Sequence, residues 1–432
     1  MTVSSVGAPL WRDRQFVLLV CARVISVLGN GFARVALAFA VLALPGANAG
    51  RLSLVLACQA LPQLVFILAG GVIADRISRS RLMVLADALG AGAYAGLAAM
   101  VLTGHAPLAA VCLLAVAAGT ATALFAPAME GLVPLIVPAD RLQRANGLLR
   151  VGTNSSLLLG LAVSGVTVAL VGAGWALALN AASFVVSAAL TAQLRVVARP
   201  RKKASGWTDL REGWQEFASR QWLWVVVAQY AVVVAALNAN VGVLGPLTAK
   251  QHLGGVRAWS VIVAAQAAGT IAGAGLAVRV RVDRPIFVAV LCTFPAAVPI
   301  ALLSTEAPVW LIAAAMFGAG ISSDVFNVLW ATTIHREIPD RVLSRVSSYD
   351  WFGSLAFAPL GLLVAGPIAA AVGTSRALAG CAALVVLATA VALLSPQVRT
   401  LRTRPRCAIP ERRGQVAAHW KKIVRLAFPG RR

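Results

Sequence analysis

The feature that most constrains this chain is a succession of apolar runs, each about 18 residues or longer, recurring from Phe16 to Leu394. One run of that length crosses the ~30 Å hydrocarbon core of a bilayer as a helix, and so many exceed what the core of a soluble domain can absorb. Backbone polar groups in lipid must be satisfied within the protein, which leaves helices or a closed barrel. The runs are Ala/Leu/Val/Gly-rich and lack the alternating ten-residue segments of a barrel. They predict an all-α integral membrane protein. Only 12% of the residues are charged, half the roughly one quarter usual in soluble chains. The first run extends past a signal-peptide h-region, so no cleavable signal is expected.

Twelve spans are predicted, at 16–44, 52–74, 82–103, 107–134, 147–171, 175–194, 222–246, 259–278, 286–304, 308–334, 346–371 and 376–395. Pro45-Gly46, Gly104, Gly174 and Pro308 mark short turns on one side. The other side is basic: Arg76, Arg79 and Arg81, then Arg141 and Arg144, the stretch from Arg195 to Arg220, Arg279 to Arg284, and Arg336 to Arg345. The opposing loops carry only Arg51, Lys250, Arg257 and Arg376. Because basic loops stay inside, both termini are expected in the cytoplasm of a plasma-membrane protein. The net charge of +23 is then accounted for by loops and tail, and no nucleic-acid partner is expected. The six cysteines have neither metal-ligand nor CxxC spacing, and neither a metal nor a cofactor is expected.

The chain divides at 195–221, the longest polar stretch between spans. This gives a six-span half at 1–194, an inter-domain loop with a short surface helix between Asp209 and Arg220, a second six-span half at 222–397 and a basic tail at 398–432. The halves are copies. Phe125, Pro138, Leu142, Arg144, Gly152, Gly160, Leu161, Gly165 and Gly172 recur, each 201 residues on, as Phe326, Pro339, Leu343, Arg345, Gly353, Gly361, Leu362, Gly366 and Gly373. Arg14-Gln15 recurs as Arg220-Gln221, and Gly71 as Gly275. With six spans per copy, both copies have the same topology, so they are parallel repeats about an axis along the membrane normal. Transporters are built this way, with substrate held near midplane between the halves.

Gly71-Val72-Ile73-Ala74-Asp75-Arg76-Ile77-Ser78-Arg79-Ser80-Arg81 resembles the loop between spans 2 and 3 of the major facilitator superfamily, with Ser78 and Ser80 as departures. Gly29-Asn30 to Ala36-Leu37, Pro127 to Asn146, and Arg345 to Asp350 resemble the superfamily's twelve-helix drug and siderophore exporters, which include macrolide efflux proteins. The resemblance implies two pseudo-symmetric six-helix bundles and a conformational latch made of Gly71, Asp75, Arg76, Arg79 and Glu130. In that latch Asp75 faces the N-terminus of span 11, at Ser347 or Ser348, where unpaired N–H groups attract a carboxylate. Arg79 bridges Asp75 to Glu130. On the alternative reading the arginines only anchor the loop.

Charge deep in a span is costly and marks function by default. Asp324 sits near the middle of span 10, and Arg34 past the middle of span 1. The two are candidates to pair across the halves, against a structural hydrogen bond for Asp324 and snorkelling to the interface for Arg34. Asn30, Asn238 and Asn240 add polar edges to spans 1 and 7, Asn30 standing where the relatives carry an acid. Asp87, two turns into span 3, reads as structural or as a further proton site. Gly160 to Gly165 is similar to the family's glycine-rich antiporter motif, with Leu161 in the place of Pro. It also fits plain helix packing. Trp420, Ile423, Val424, Ala427 and Phe428 share a helical face in the tail, which suits either an amphipathic helix on anionic lipid or disorder.

Transport is therefore the expected function, with a small-molecule substrate, protons and the bilayer as partners and the chain acting as a monomer. Proton-driven efflux of amphipathic, drug-like molecules leads. A siderophore or metabolite exporter and a nutrient importer are its rivals. A membrane-embedded enzyme or receptor is the reading from another class. The chain has no Gly-Lys pair and hence no Walker A loop, and its four histidines are scattered. A reporter fused after Arg432 should read as cytoplasmic; a periplasmic signal would reverse the orientation.

Overall fold

The computed structural model describes residues 10–74, 78–138, 141–194, 214–277, 279 and 282–402. Among them there is helix and turn but no strand. Eleven helices are long and apolar enough to cross a membrane, and the helix Ala49–Ala74, with 26 residues, completes the set of twelve. In chain order these are α1 (Arg14–Ala43), α2 (Ala49–Ala74), α3 (Arg79–Thr103), α4 (Leu108–Ile136), α5 (Leu142–Val171) and α6 (Ala173–Ala192). The second six are α7 (Gln221–His252), α8 (Val256–Ala277), α9 (Pro285–Ser304), α10 (Val309–Glu337), α11 (Asp340–Leu355 continued by Ala358–Val372) and α12 (Thr374–Leu394).

Both halves use one packing plan. In the first, α1 packs on α5 and α6, and α4 on α2 and α3, while α3 closes on α6. In the second, α7 packs on α11 and α12, and α10 on α8 and α9, while α9 closes on α12. Substituting each helix by its counterpart six places on turns the first pattern into the second. The seams between the halves, α2 on α11 and α5 on α8, exchange under the same substitution.

The repeated glycines explain why. Helices in hydrocarbon gain nothing from hiding apolar surface from one another, so small residues that admit close backbone approach decide where they cross. A Cβ on Gly160 would lie 2.4 Å from the Leu28 carbonyl oxygen, and one on Gly361 would lie 2.2 Å from that of Ala235. Gly119 meets the Gln59 carbonyl at 1.9 Å, and Gly320 that of Gln266 at 2.2 Å. Gly172 and Gly373 end α5 and α11 at φ of 91° and 89°, a backbone that residues with a Cβ rarely adopt.

Three helices depart from the sequence reading. Span 7 does not end at Gly245-Pro246. Pro246 cannot donate to the helix ladder, and the six-residue π-helical segment Ala239–Leu244 absorbs the defect, carrying α7 on to a turn at Gly254 and Gly255. Pro295 similarly breaks α9 at a 3-10 turn, Phe294–Ala296. Span 11 begins at Asp340, not near Val346. Of the expected surface helix between the halves, residues 214–218 are helical and it ends before Arg220, while 209–213 lie outside the described residues. Trp214 and Phe217 pack on Tyr349, and Arg220 donates to the Glu337 carbonyl at 2.7 Å. The tail face from Trp420 to Phe428 lies outside the described residues.

Gly361→Ala should lower thermal stability by about 1–3 kcal/mol, the usual cost of overpacking. Gly318→Ala, whose new Cβ meets nothing within 4 Å, should be neutral or stabilising. Equal melting curves for the two variants would contradict the crossing geometry.

Candidate functional site

The cores of the two halves merge at one face and separate at the other. One hydrophobic cluster contains residues of both halves, from Phe32, Leu52 and Leu177 to Leu244, Ile312 and Leu362. Toward the face that carries the chain's N-terminus and the inter-half connection, the core divides. One cluster, around Phe16, Met83 and Leu132, belongs to the first half alone. The other, around Leu223, Phe326 and Val346, belongs to the second.

The sealed face is held by direct ties. The Lys250 ammonium donates to the Leu42 carbonyl, joining the end of α7 to that of α1. Gly165 of α5 lies against Ser260 of α8, and its repeat Gly366 of α11 lies against Ala49 and Ser53 of α2. The split at the other face is the candidate substrate path.

Asp324 is the sixteenth residue of α10, in the middle as expected. It packs against Gly273 of α8, and its Oδ2 is buried without a hydrogen bond among the described residues. The expected pairing with Arg34 does not form. The cation within electrostatic reach of Asp324 is instead Arg150 of α5, on the other half, with no direct ion pair between them among the described residues. Arg34 is exposed, and Tyr94 of α3 lies within its electrostatic reach. The Tyr94 hydroxyl accepts from Gln59 Nε2 at 2.8 Å, and its ring stacks on Phe184. The group within electrostatic reach of Arg34 thus belongs to α3 of its own half, not to α10.

Asn30 is half-buried in α1. Asn238 bonds back to its own helix, Nδ2 to the Val234 carbonyl at 2.9 Å, which uses one of its two amide donors. Asn240 differs. It is fully buried in the π-helical segment and neither amide atom has a partner among the described residues. It lines a cavity inside the second half with Tyr230, Gln266, Thr293 and Phe326. An unpaired buried amide costs about 1–3 kcal/mol, and π-segments recur at functional positions.

The latch residues are only partly visible. Asp75 and Arg76 lie outside the described residues. Gly71 is in the last turn of α2, Arg79 opens α3 and Glu130 is in α4. The proposed target of Asp75 is corrected: α11 starts at Asp340, so Ser347 and Ser348 lie inside the helix, where the N–H groups are already bonded.

Two charged groups were missed, the exposed Arg150 and the buried Asp350. Arg150 looks like an ordinary basic residue near a span start, until α5 is seen to begin at Leu142. Asp350, set near the end of a span by a start at 346, is the eleventh residue of a helix that starts at Asp340. It is 8% exposed and receives the Trp330 indole N–H at 3.2 and 3.1 Å on its two oxygens.

Asn240→Leu should be as stable as the wild type or more so, because it removes an unpaired amide and keeps the volume. Double replacement of Arg150 by Gln and Asp324 by Asn should cost less transport activity than the sum of the single losses. Strict additivity would mean the two charges act separately.

The Major Facilitator Superfamily profile matches residues 19–358. The chain is 29% identical over 413 residues to the multidrug efflux pump Tap of Mycobacterium tuberculosis (strain CDC 1551 / Oshkosh), covering 91% of this chain and 96% of that one. It is 26% identical over 353 residues to the uncharacterized MFS-type transporter YkuC of Bacillus subtilis (strain 168), covering 78% and 81%. Its fold is similar to that of the nucleoside transporter NupG, with a TM-score of 0.70 at 12% identity over 90% of this chain and 99% of that one. It is also similar to a bacterial homologue of the iron transporter ferroportin in its inward-facing state, with a TM-score of 0.69 at 15% identity over 90% and 99%. With its paired six-helix halves and a family profile running through most of both, this chain is a membrane transporter of the Major Facilitator Superfamily.

Proposed function

We propose that this transporter exports small amphipathic, drug-like molecules across the plasma membrane in exchange for protons, by alternating access, with both termini in the cytoplasm. The observation that carries the reading is the asymmetry of the seal: the halves at 1–194 and 222–397 share one core at the face away from the termini and part at the other. With the basic loops inside, this is a conformation that admits cargo from the cytoplasm. The similarity to a multidrug efflux pump along nearly the whole chain favours efflux as the direction.

Asp324 is the proposed coupling group. Arg150 lies within its electrostatic reach, and a cationic amphipathic cargo entering the split would compete with the proton for the carboxylate. Cargo and proton thus bear on one carboxyl group. A proton crossing 100 mV carries about 2.3 kcal/mol, enough for a concentration ratio in the tens. Asn240 and Asn30 would offer hydrogen bonds to polar groups on cargo. Gly71, Asp75, Arg76, Arg79 and Glu130 remain the proposed latch of the opposite state, with the first turn of α11 at Asp340 as the electrostatic target.

Everted vesicles with a fluorescent lipophilic cation supplied in the outside medium test the reading. An imposed proton gradient should drive uptake into the vesicle lumen, and Asp324→Asn should abolish the uphill component while downhill exchange persists. Uptake only in right-side-out vesicles would make the protein an importer. Normal uphill transport by Asp324→Asn would place the proton elsewhere.

A further inference from the structure

The repeat gives the protein an internal control, because corresponding helices of the two halves place polar groups of different chemistry together. In the first half Asp87, the ninth residue of α3, is fully buried. Its Oδ2 accepts from the Ser187 hydroxyl of α6 at 2.6 Å, and its Oδ1 is buried with no hydrogen bond among the described residues. Arg23, the tenth residue of α1, is the cation within electrostatic reach, and its guanidinium lies over the Phe125 ring of α4 at 5.3 Å.

In the second half the ninth residue of α7 is Gln229. Its Nε2 donates to Thr293, the ninth residue of α9, at 3.0 Å and to Thr389, the sixteenth of α12, at 3.3 Å. The two threonine hydroxyls are 2.9 Å apart. The register that aligns Arg14-Gln15 with Arg220-Gln221 sets Gln229 at the place of Arg23, and α1, α3 and α6 correspond to α7, α9 and α12 by packing. All three members of the second bridge are buried.

Polar groups thus meet at this place in both halves, through the α6-to-α3 hydrogen bond in the first and a neutral three-helix network in the second, so a neutral link serves the fold. Nothing in the packing calls for charge in the first half, where a buried carboxylate is far more expensive than a threonine. The 2.6 Å hydroxyl contact is in the range of a charge-assisted bond. The bridge lies about 12 Å along α3 from its start, at 1.5 Å per residue, on the side where the cores of the halves separate. The groups facing Asp87 are Arg23 from α1 and Ser187 from α6, with α4 contributing the Phe125 ring beneath Arg23.

We infer that Asp87 is a second proton-binding site of the transport cycle, with Arg23 as its counter-ion. Oδ1 is the atom that receives the proton, while Oδ2 keeps the Ser187 bond. Protonation releases Arg23 from electrostatic pairing, so the charge that α1 presents toward the split changes with the proton on α3.

Two measurements test this. pH-jump infrared difference spectroscopy of the purified protein in lipid nanodiscs needs no cargo, and so stands apart from the efflux reading. A protonated-carboxyl C=O band should be lost in Asp87→Asn and retained in Asp324→Asn. Spectra of Asp87→Asn identical to the wild type would overturn the inference. The second, which does rest on the efflux reading, transplants the neutral bridge as Arg23→Gln/Asp87→Thr/Ser187→Thr in proteoliposomes with ethidium as the probe. The variant should fold and exchange ethidium downhill but lose proton-driven accumulation. Accumulation at the wild-type rate would overturn the inference. A transplant that fails to fold would also overturn it, since the charge would then be structural.

Discussion

Backbone-to-backbone approach at glycine is the interaction on which this structure depends. Lipid removes the hydrophobic drive for one helix to prefer another, leaving van der Waals contact and rare polar links to choose partners. Where Gly160 meets Leu28 and Gly361 meets Ala235, the crossing is so close that a single methyl group would collide with a carbonyl oxygen. The same constraint at the same places in both copies makes the two bundles fold alike from sequences that have otherwise diverged.

The seams between the halves show the economy of the arrangement. Gly165 against Ser260 and Gly366 against Ser53 are small-on-small contacts, smooth enough for one bundle to move on the other without unpacking side chains. Polar links are concentrated inside each half, as in the bridges through Asp87 and Gln229. Each half thus holds together more firmly than it holds its twin, as a rocking mechanism requires.

Much of this was legible in the sequence. Apolar run length placed all twelve helices, and the glycines spaced 201 residues apart announced the repeat, because both signals arise from local constraints that every copy of the fold must meet. What failed was long-range or depended on backbone irregularity. Nothing in the runs indicated that Pro246 would be absorbed by a π-segment, so the far end of α7 and its tie from Lys250 to Leu42 went unseen. The start of α11 was placed too late because Asp340 to Arg345 reads as a polar loop, and this hid the depth of Asp350. Asp324 was found by its charge alone, but its partner depends on which face of α5 meets α8. Hydropathy carries no such information, which is why Arg34 was chosen over Arg150. The neutral bridge at Gln229, Thr293 and Thr389 escaped because amides and hydroxyls in a span are common and become notable only when three helices bring them together.

The reversals at Gly172 and Gly373 have a practical consequence. With φ near +90° the chain turns from one helix into the next within a single residue, and no connection on that face exceeds the five residues 44–48. A surface made of such tight turns exposes backbone only in very short stretches. Proteases have little to cut there, and antibodies or inserted tags have little to hold. Fiducials, labels and fusion partners for handling this protein belong on the opposite face, where the chain is long enough to carry them.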